Sequence, residues 1–455
     1  MPDSLPVLVV GAGISGLICA YALRRAGVDA HLYEASSQAG GLIQSERQDG
    51  FLLELGPQSF TPTPAIRQLC AELAIQDEIV EAPAKAPRFV FHQGRLEQVP
   101  LGPQTFFLSS FVGLGTKWTI LRDLLGKSSP PSEEESIATF VRRKFSADLL
   151  QKLVGPFVSG IYAGDPEKLS LRASFPQLHQ AETEAGSVIR GTIRAAKRNR
   201  QSGQSQTRTI ENFRGGTQTL VKNLKDNLGN ALHLSAPITG LEPAKGGFTI
   251  TARVDGAARV LRAENVVLAL PTNAAASLLA ADSPDLGSIL EEIEYAPIAV
   301  VSLGYRLSDV GHDLQGFGFL VPRSAGLQIL GSVWNSSLFP GRAPDGYSLI
   351  TSFVGGATNP AAVQLGDALV NPVHAELTPV LRISTPPVFS RVTSYERAIP
   401  QYNLGHLARV KALEKGSAQI PGLFLTGNYL HGPSVGACVE QAQTVAAAVL
   451  KRLKS

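Results

Sequence analysis

The residues best placed to do chemistry in this 455-residue chain are three glycines and one acid near its start. Gly11, Gly13 and Gly16 form a G-x-G-x-x-G run, and Glu34 follows Gly16 by 18 residues. Glycines so spaced permit a tight turn, a close backbone approach to a pyrophosphate, and close packing of helix on strand. A helix that starts there turns unpaired N–H groups and its positive end toward the phosphate. Glu34 is spaced to hydrogen-bond ribose hydroxyls and to disfavour a 2′-phosphate. The chemistry implied is dinucleotide binding, with NAD and FAD both open. Cys19, Cys70 and Cys438 are scattered, without a CxxC pair, which points to a reducing compartment. Cys19 is expected in the core. No residue cluster has metal-ligand spacing, so no metal is expected. No Ser/His/Asp, paired-carboxylate or Cys/His arrangement stands out.

Local elements must hold those glycines. Val7–Val10 reads as a buried strand, Leu17–Arg25 as a helix, and Ala30–Tyr33 as a second strand. The next pair, Gly40 and Gly41, resembles the extended fingerprint of glutathione-reductase-like flavoproteins and tilts the choice to FAD. Gly56, Pro57 and Gln58 fit a turn under an isoalloxazine ring, or ordinary loop punctuation. Near the C-terminus, the Leu423–Thr426 strand, the Thr426-Gly427-Asn428 turn and a helix over Ser434–Leu453 repeat the opening logic. Both chain ends would then clamp one cofactor.

Charged residues are 17% of the chain, below the usual quarter. Such a deficit signals a large buried interior, an apolar ligand site or membrane contact. A net charge of +3 is too small to argue for nucleic acid. Leu101–Leu125 carries Phe106, Phe107, Leu108, Phe111 and Trp118 with few charges. It reads as an interfacial amphipathic segment or as a buried helix pair. Lys197–Arg200 reads as a solvated basic loop, with a lipid-headgroup patch as the alternative. Ser132 is the expected N-cap of a helix that continues over Ser136–Phe145. No run of 18 apolar residues exists. A dinucleotide strand starting at Leu5 or Pro6 leaves no room for a targeting peptide. The expected location is therefore cytoplasmic, with peripheral membrane contact. Residues 296–390 are strand-rich and suggest an antiparallel substrate floor.

Longer segments carry a family resemblance. Gly155–Ser170 (GPFVSGIYAGDPEKLS), Gly316–Pro322 (GFGFLVP), Leu338–Pro344 (LFPGRAP), Thr351–Gly356 (TSFVGG) and Gly422–Tyr429 with Ser434–Gly436 resemble signatures of the oxygen-dependent protoporphyrinogen IX oxidases. They run in family order, and the chain is similar to the plant and cyanobacterial type.

The resemblance implies an α/β (α+β) fold like that of p-hydroxybenzoate hydroxylase. Its parts would be a discontinuous Rossmann-like FAD domain (1–80, 205–285, 390–455), a substrate domain on a mixed or antiparallel sheet (81–95, 286–389), and a helical membrane-associating domain (96–204). It implies a six-electron, FAD-dependent oxidation of protoporphyrinogen IX with O2 as acceptor and H2O2 as product. Hydride would pass to flavin N5 without a dedicated side-chain base. The backbone at Gly160 would lie against the substrate, Arg88 would pair with a propionate, and Leu320, Val333 and Phe353 would enclose pyrrole rings. FAD contacts would come from Gly11, Gly13, Gly16, Glu34, Gly40, Gly41, Gly56, Pro57, Gln58, Ile238 on the adenine side, Tyr395 flanking the flavin, Gly427, Asn428, Val435 and Gly436. Departures from the family pattern are Gln38, where a basic residue is frequent, Gln58, where plant-type enzymes have Asn, and His431 in the C-terminal loop. The competing readings are a coproporphyrinogen III oxidase of the same family, an amine oxidase-like flavoenzyme, and a flavin-free binding protein on the same fold. A homodimer and a hand-over of product to a chelatase stay open.

Overall fold

The computed structural model describes residues 4–100, 102–109, 111–201, 209–254 and 256–454. Its first strand, Leu5–Val10, is apolar at nearly every position because it is buried on both faces, as parallel central strands are. It pairs in parallel with Ala30–Tyr33 on one side and with Ala257–Leu268 on the other. Ala257–Leu268 also pairs in parallel with Leu423–Leu425. A hairpin, Ile238–Ala244 and Gly247–Val254, extends the sheet beyond Ala257–Leu268, and Leu232–His233 closes the far edge. Residues from both ends of the chain therefore build one seven-stranded sheet. The helices Ile14–Arg25, Gln218–Leu228 and Val435–Leu453 bury their apolar stripes on one face with Val7, Val9 and Leu32.

A second seven-stranded sheet runs in the spatial order Phe389–Pro400, Tyr295–Arg306, Tyr347–Gly355, Ile329–Trp334, Gly318–Leu320, Arg88–His92, Arg95–Gln98. The strands within 295–400 pair antiparallel, as expected of the floor, and Arg88–His92 joins Gly318–Leu320 in parallel, so the sheet as a whole is mixed. One face of it is closed by the Val370–Leu381 helix over Val301, Phe319, Ile350 and Val354.

The described elements between 103 and 201 are all helices. Gly155–Tyr162 is a helix. It continues without a break from the turns at Ala147–Leu149 and Leu150–Val154, so Pro156 lies inside a helical run, and Ala163 stops that run at φ 47°. The N-cap is Ser136, which accepts from Thr139 N, not Ser132. Glu134 and Glu135 lie ahead of that helix, where they bind Ser170, the Gly405 amide and Arg143. The basic run 197–200 lies on the Val188–Gln201 helix instead of a loop. The Leu114–Leu125 helix buries Thr116 and Asp123 but exposes Leu114, Trp118 and Leu125, so it is not one of a buried pair.

Candidate active site

The glycine run lies at the C-terminal edge of the first sheet, where parallel α/β sheets bind their ligands. Gly11 takes φ +97°, and its N–H donates to the Tyr33 carbonyl at 2.8 Å. A Cβ on Gly11 would lie 2.5 Å from Ala269 O, and one on Gly16 would lie 1.9 Å from Gly11 O. Both positions need glycine for packing. Gly13 differs, because a Cβ there would meet no atom within 4 Å. It opens onto free space at the start of the Ile14–Arg25 helix, whose first turn has no side-chain cap. Gly40 N donates to Ala12 O at 2.8 Å and Gly40 bridges to Gly13, so the two glycine runs lie side by side. Glu34 accepts from Ala12 N at 2.7 Å and Ser36 N at 2.8 Å. Ala236 N donates to Glu34 O, and Ile238 follows Ala236 by two residues.

The C-terminal segment arrives at the same edge. Thr426 N donates to Leu268 O at 3.0 Å. Gly427 and Asn428 follow, and Ser434 caps the helix that starts at Val435 and Gly436. A Cβ on Gly436 would lie 2.7 Å from Thr63 Cγ2, so this helix packs closely on the cap of Pro64–Glu72. Two buried hydroxyls here, Thr426 Oγ1 and Tyr429 Oη, have no hydrogen-bond partner among the described residues. An open cradle at Gly13, uncapped N–H groups and these unpaired hydroxyls fit a dinucleotide in type and placement.

The second sheet presents its open face to the Gly155–Tyr162 helix. Side chains directly opposite one another across a sheet share a face, as do residues two apart on one strand. Arg88 pairs with Gly318, Gly318 with Val333, Leu320 with Gly331, Gly331 with Phe353, Phe353 with Val300, and Ile298 with Tyr395. Arg88, Leu320, Val333, Phe353 and Tyr395 therefore lie on one face. Leu320, Val333, Phe353 and Tyr395 are only half-buried, whereas Phe319, Trp334 and Val354 on the opposite face are buried. Gly160 sits above this face, where a Cβ would meet Leu320 Cδ2 at 2.6 Å. Arg88 is exposed at the edge, its guanidinium 5.4 Å from the centre of the Phe317 ring. The Tyr395 hydroxyl is buried without a hydrogen-bond partner among the described residues, and burial raises its pKa.

A polar seam joins the two sheets. Glu54, 1% exposed, accepts from Ser45 Oγ (2.6 Å), Thr217 Oγ1 (2.6 Å), Thr217 N (3.0 Å) and Asn212 Nδ2 (2.9 Å). Arg342, also 1% exposed, places Nη1 3.5 Å from Glu54 Oε1. Burial raises the Glu54 carboxyl against the pull of Arg342 and these donors. Gln58 accepts from Asn335 Nδ2 at 2.7 Å and donates to Gly56 O at 2.9 Å. Gly56 is needed for packing, since a Cβ would lie 2.0 Å from Leu42 O. Pro57 lies between them in the same turn. Sequence reasoning did not single out Glu54 or Asn335, which carry no spacing motif. It quoted Arg342 only inside a longer segment. His431 is exposed and pairs with Glu414 at 2.9 Å.

Comparison with known proteins agrees with this geometry. Residues 14–450 match the flavin containing amine oxidoreductases. The chain is 34% identical to the chloroplastic protoporphyrinogen oxidase 1 of Arabidopsis thaliana, over 96% of this chain and 87% of that one. It is 29% identical to the coproporphyrinogen III oxidase of Bacillus subtilis (strain 168), over 99% and 98% of the two chains. A crystal structure provisionally assigned as a protoporphyrinogen oxidase from Exiguobacterium sp. 255-15 superposes with a TM-score of 0.83, at 25% identity and 99% coverage of both chains. The chain belongs to the flavin-containing amine oxidoreductases and, within them, to the protoporphyrinogen oxidase family.

Proposed function

We propose that this chain is an FAD-dependent oxidase that converts protoporphyrinogen IX to protoporphyrin IX, with O2 as acceptor and H2O2 as product. One observation carries the reading. An arginine, three apolar side chains and a tyrosine share the open face of a sheet beneath an exposed glycine on a helix. A flat apolar slot with one cation at its edge suits a macrocycle bearing carboxylates on one side.

FAD, when bound, supplies the two-electron acceptor for each oxidation step. Gly11, Gly13, Gly16, Gly40, Gly41, Val435 and Gly436 would hold its diphosphate, with Glu34 at a ribose and Ile238 near the adenine. Gly56, Pro57, Gln58, Gly427 and Asn428 would line the ring edge, and Tyr395 would flank it. Leu320, Val333 and Phe353 orient the tetrapyrrole and exclude water. Gly160 leaves room for it, and Arg88 pairs a propionate. No side-chain base is assigned. Tyr395 is unsuited to that role, because its raised pKa keeps the hydroxyl protonated.

The site lies between parts that we read as an FAD domain (1–80, 205–285, 390–455), a substrate domain (81–95, 286–389) and a helical part (96–204). We read the helical part as a membrane-contacting surface. Leu108, Leu114, Trp118 and Leu125 are 87%, 82%, 65% and 75% exposed. Exposed apolar side chains so clustered mark an interaction surface. No described helix is long and apolar enough to cross a membrane. Trp118→Asp is expected to reduce co-sedimentation with phospholipid vesicles, and unchanged binding would remove this reading.

The second reading is oxidation of coproporphyrinogen III, favoured by the Bacillus subtilis relative. Four carboxylates would call for more cations than Arg88 on this face. The test is to supply each porphyrinogen separately and follow porphyrin fluorescence and peroxide. A preference for the tetra-acid would reverse the assignment. A purified protein that is colourless and takes up no FAD would remove every oxidase reading.

A further inference from the structure

We infer that two adjacent buried residues, Gln401 and Tyr402, form a two-sided bracket that sets the Gly155–Tyr162 helix against the Asn428–Gly432 loop. Both are positioning residues for the reaction. The inference rests on the functional reading above, which places that helix at the substrate and that loop at FAD.

Tyr402 is 1% exposed and Gln401 3% exposed. The Tyr402 hydroxyl donates to the Asn428 carbonyl at 2.5 Å and accepts from the Gly432 amide at 2.7 Å. One group therefore satisfies both a carbonyl and an N–H of the loop. Its ring is held from two sides. His406 stacks on it at 4.0 Å and 12°, and Tyr162 packs at 5.9 Å and 56°. Its own carbonyl accepts from Ser170 N at 2.8 Å.

Gln401 reaches the other way. Its Nε2 donates to Tyr162 O at 2.8 Å and to Ile399 O at 3.0 Å. Tyr162 is the last residue of the helix that carries Gly160, and carbonyls at a helix end have no intrahelical partner. Gln401 supplies that partner. Two consecutive side chains thus fix the end of one functional element and the turn of the other. A shift of either residue changes the distance between the Gly160 backbone and the C-terminal loop.

The hydrogen bonds divide the expected effects. Tyr402→Phe keeps the ring and its stack on His406 but strands Asn428 O and Gly432 N. FAD should then leave the diluted holoenzyme about tenfold faster, followed by flavin fluorescence, with KM for protoporphyrinogen within about twofold of the parent. Gln401→Leu frees Tyr162 O while conserving side-chain volume. KM should then rise about tenfold, with the FAD release rate within about twofold of the parent. A merely structural role would lower the melting temperature of both variants without this split. Unchanged FAD release in Tyr402→Phe, or both variants moving the same parameter, overturns the inference. If Tyr402→Phe does not fold, Gln401→Leu decides alone. A KM change without an FAD change supports the bracket, and an FAD change or no change overturns it. A parent protein that holds no FAD instead overturns the functional reading on which the bracket rests.

Discussion

Replacing Gly160 with alanine separates the stability of the fold from the shape of the slot. Gly160 lies inside a helix, so alanine should favour the helical state by about 1 kcal/mol. The added methyl would meet Leu320 Cδ2 at 2.6 Å, well inside normal carbon–carbon contact. That atom is the far end of a half-buried side chain, so Leu320 can turn aside, at a cost of about 0.5–1.5 kcal/mol off its rotamer. The two terms nearly cancel, and the melting temperature should move by no more than a few degrees. The displaced methyl goes into the face that receives the macrocycle. Overpacking there costs about 1–3 kcal/mol, which lowers kcat/KM by roughly fivefold to a hundredfold. The assay is steady-state porphyrin fluorescence alongside thermal melts. Gly160→Ala/Leu320→Ala is the companion variant. Removing the Leu320 methyls gives the new Cβ room, so the double variant should retain more activity than the two single losses combined would allow. Unchanged kcat/KM in Gly160→Ala with an unchanged melting temperature would refute the placement of substrate on this face. Strict additivity would refute the Gly160–Leu320 contact as the cause.

Arg88→Ala should raise KM for protoporphyrinogen by roughly tenfold or more, the cost of a lost charge-assisted hydrogen bond at an exposed edge, with FAD content unchanged. Loss of FAD in that variant would show that Arg88 serves the cofactor instead. Gly16→Ala forces a Cβ to 1.9 Å from Gly11 O, which the loop can relieve only by moving. The purified variant should carry little FAD, and a fully loaded, yellow Gly16→Ala would refute the loop assignment. Glu182, with 0% exposure, gives an acid signature. Burial alone would raise its pKa, but hydrogen bonds from Arg143 and Ser128 and the charge of Lys144 outweigh it and hold the carboxyl at about 2. A depressed pKa means stability that is present above the unfolded value near 4.5 and is lost as pH falls toward 2. It amounts to about 3 kcal/mol. Thermal melts at pH 7, 5 and 3 should show a steeper acid loss in the parent than in Glu182→Gln, and parallel curves would refute the assignment.

What could be read from the chain follows from how local each signal is. The opening strand, glycine run and helix form one continuous stretch, in which Gly11 and Gly16 are required by packing, so the dinucleotide end was legible. The strands at Tyr295–Arg306 and Tyr347–Gly355 were legible because they are long, largely apolar runs rich in β-branched and aromatic residues. Gly155–Tyr162 was not. Its β-branched and aromatic residues favour a strand by propensity, but continuation of the helical turns before it and packing on the second sheet prevail. The basic run 197–200 looked like a loop because charge hides periodicity, although Val188 and Ile193 upstream belong to the same helix. The common face of Arg88, Leu320, Val333 and Phe353 depends on pairings between strands up to about 265 residues apart, as from Arg88 to Phe353. No window of sequence contains such a register.

The seam between the sheets shows why some of the site is polar where an apolar core would do. Glu54 and Arg342 are both 1% exposed, and replacing such a pair with well-packed apolar groups is often neutral or stabilising. Apolar packing would not be directional. Glu54 accepts from Ser45 and, from a second chain segment, Asn212 and Thr217, while Asn212 and Asn335 both bind Gln58. Each bond has a narrow range of length and angle, so together they fix where Gly56–Gln58 stands relative to the strand that carries Val333. That relation sets the spacing between the proposed flavin edge and the proposed macrocycle slot. A lateral slip of one sheet on the other would strand several buried polar groups at once, each costing about 1–3 kcal/mol. The polar seam therefore acts as a register pin between the two halves of the site.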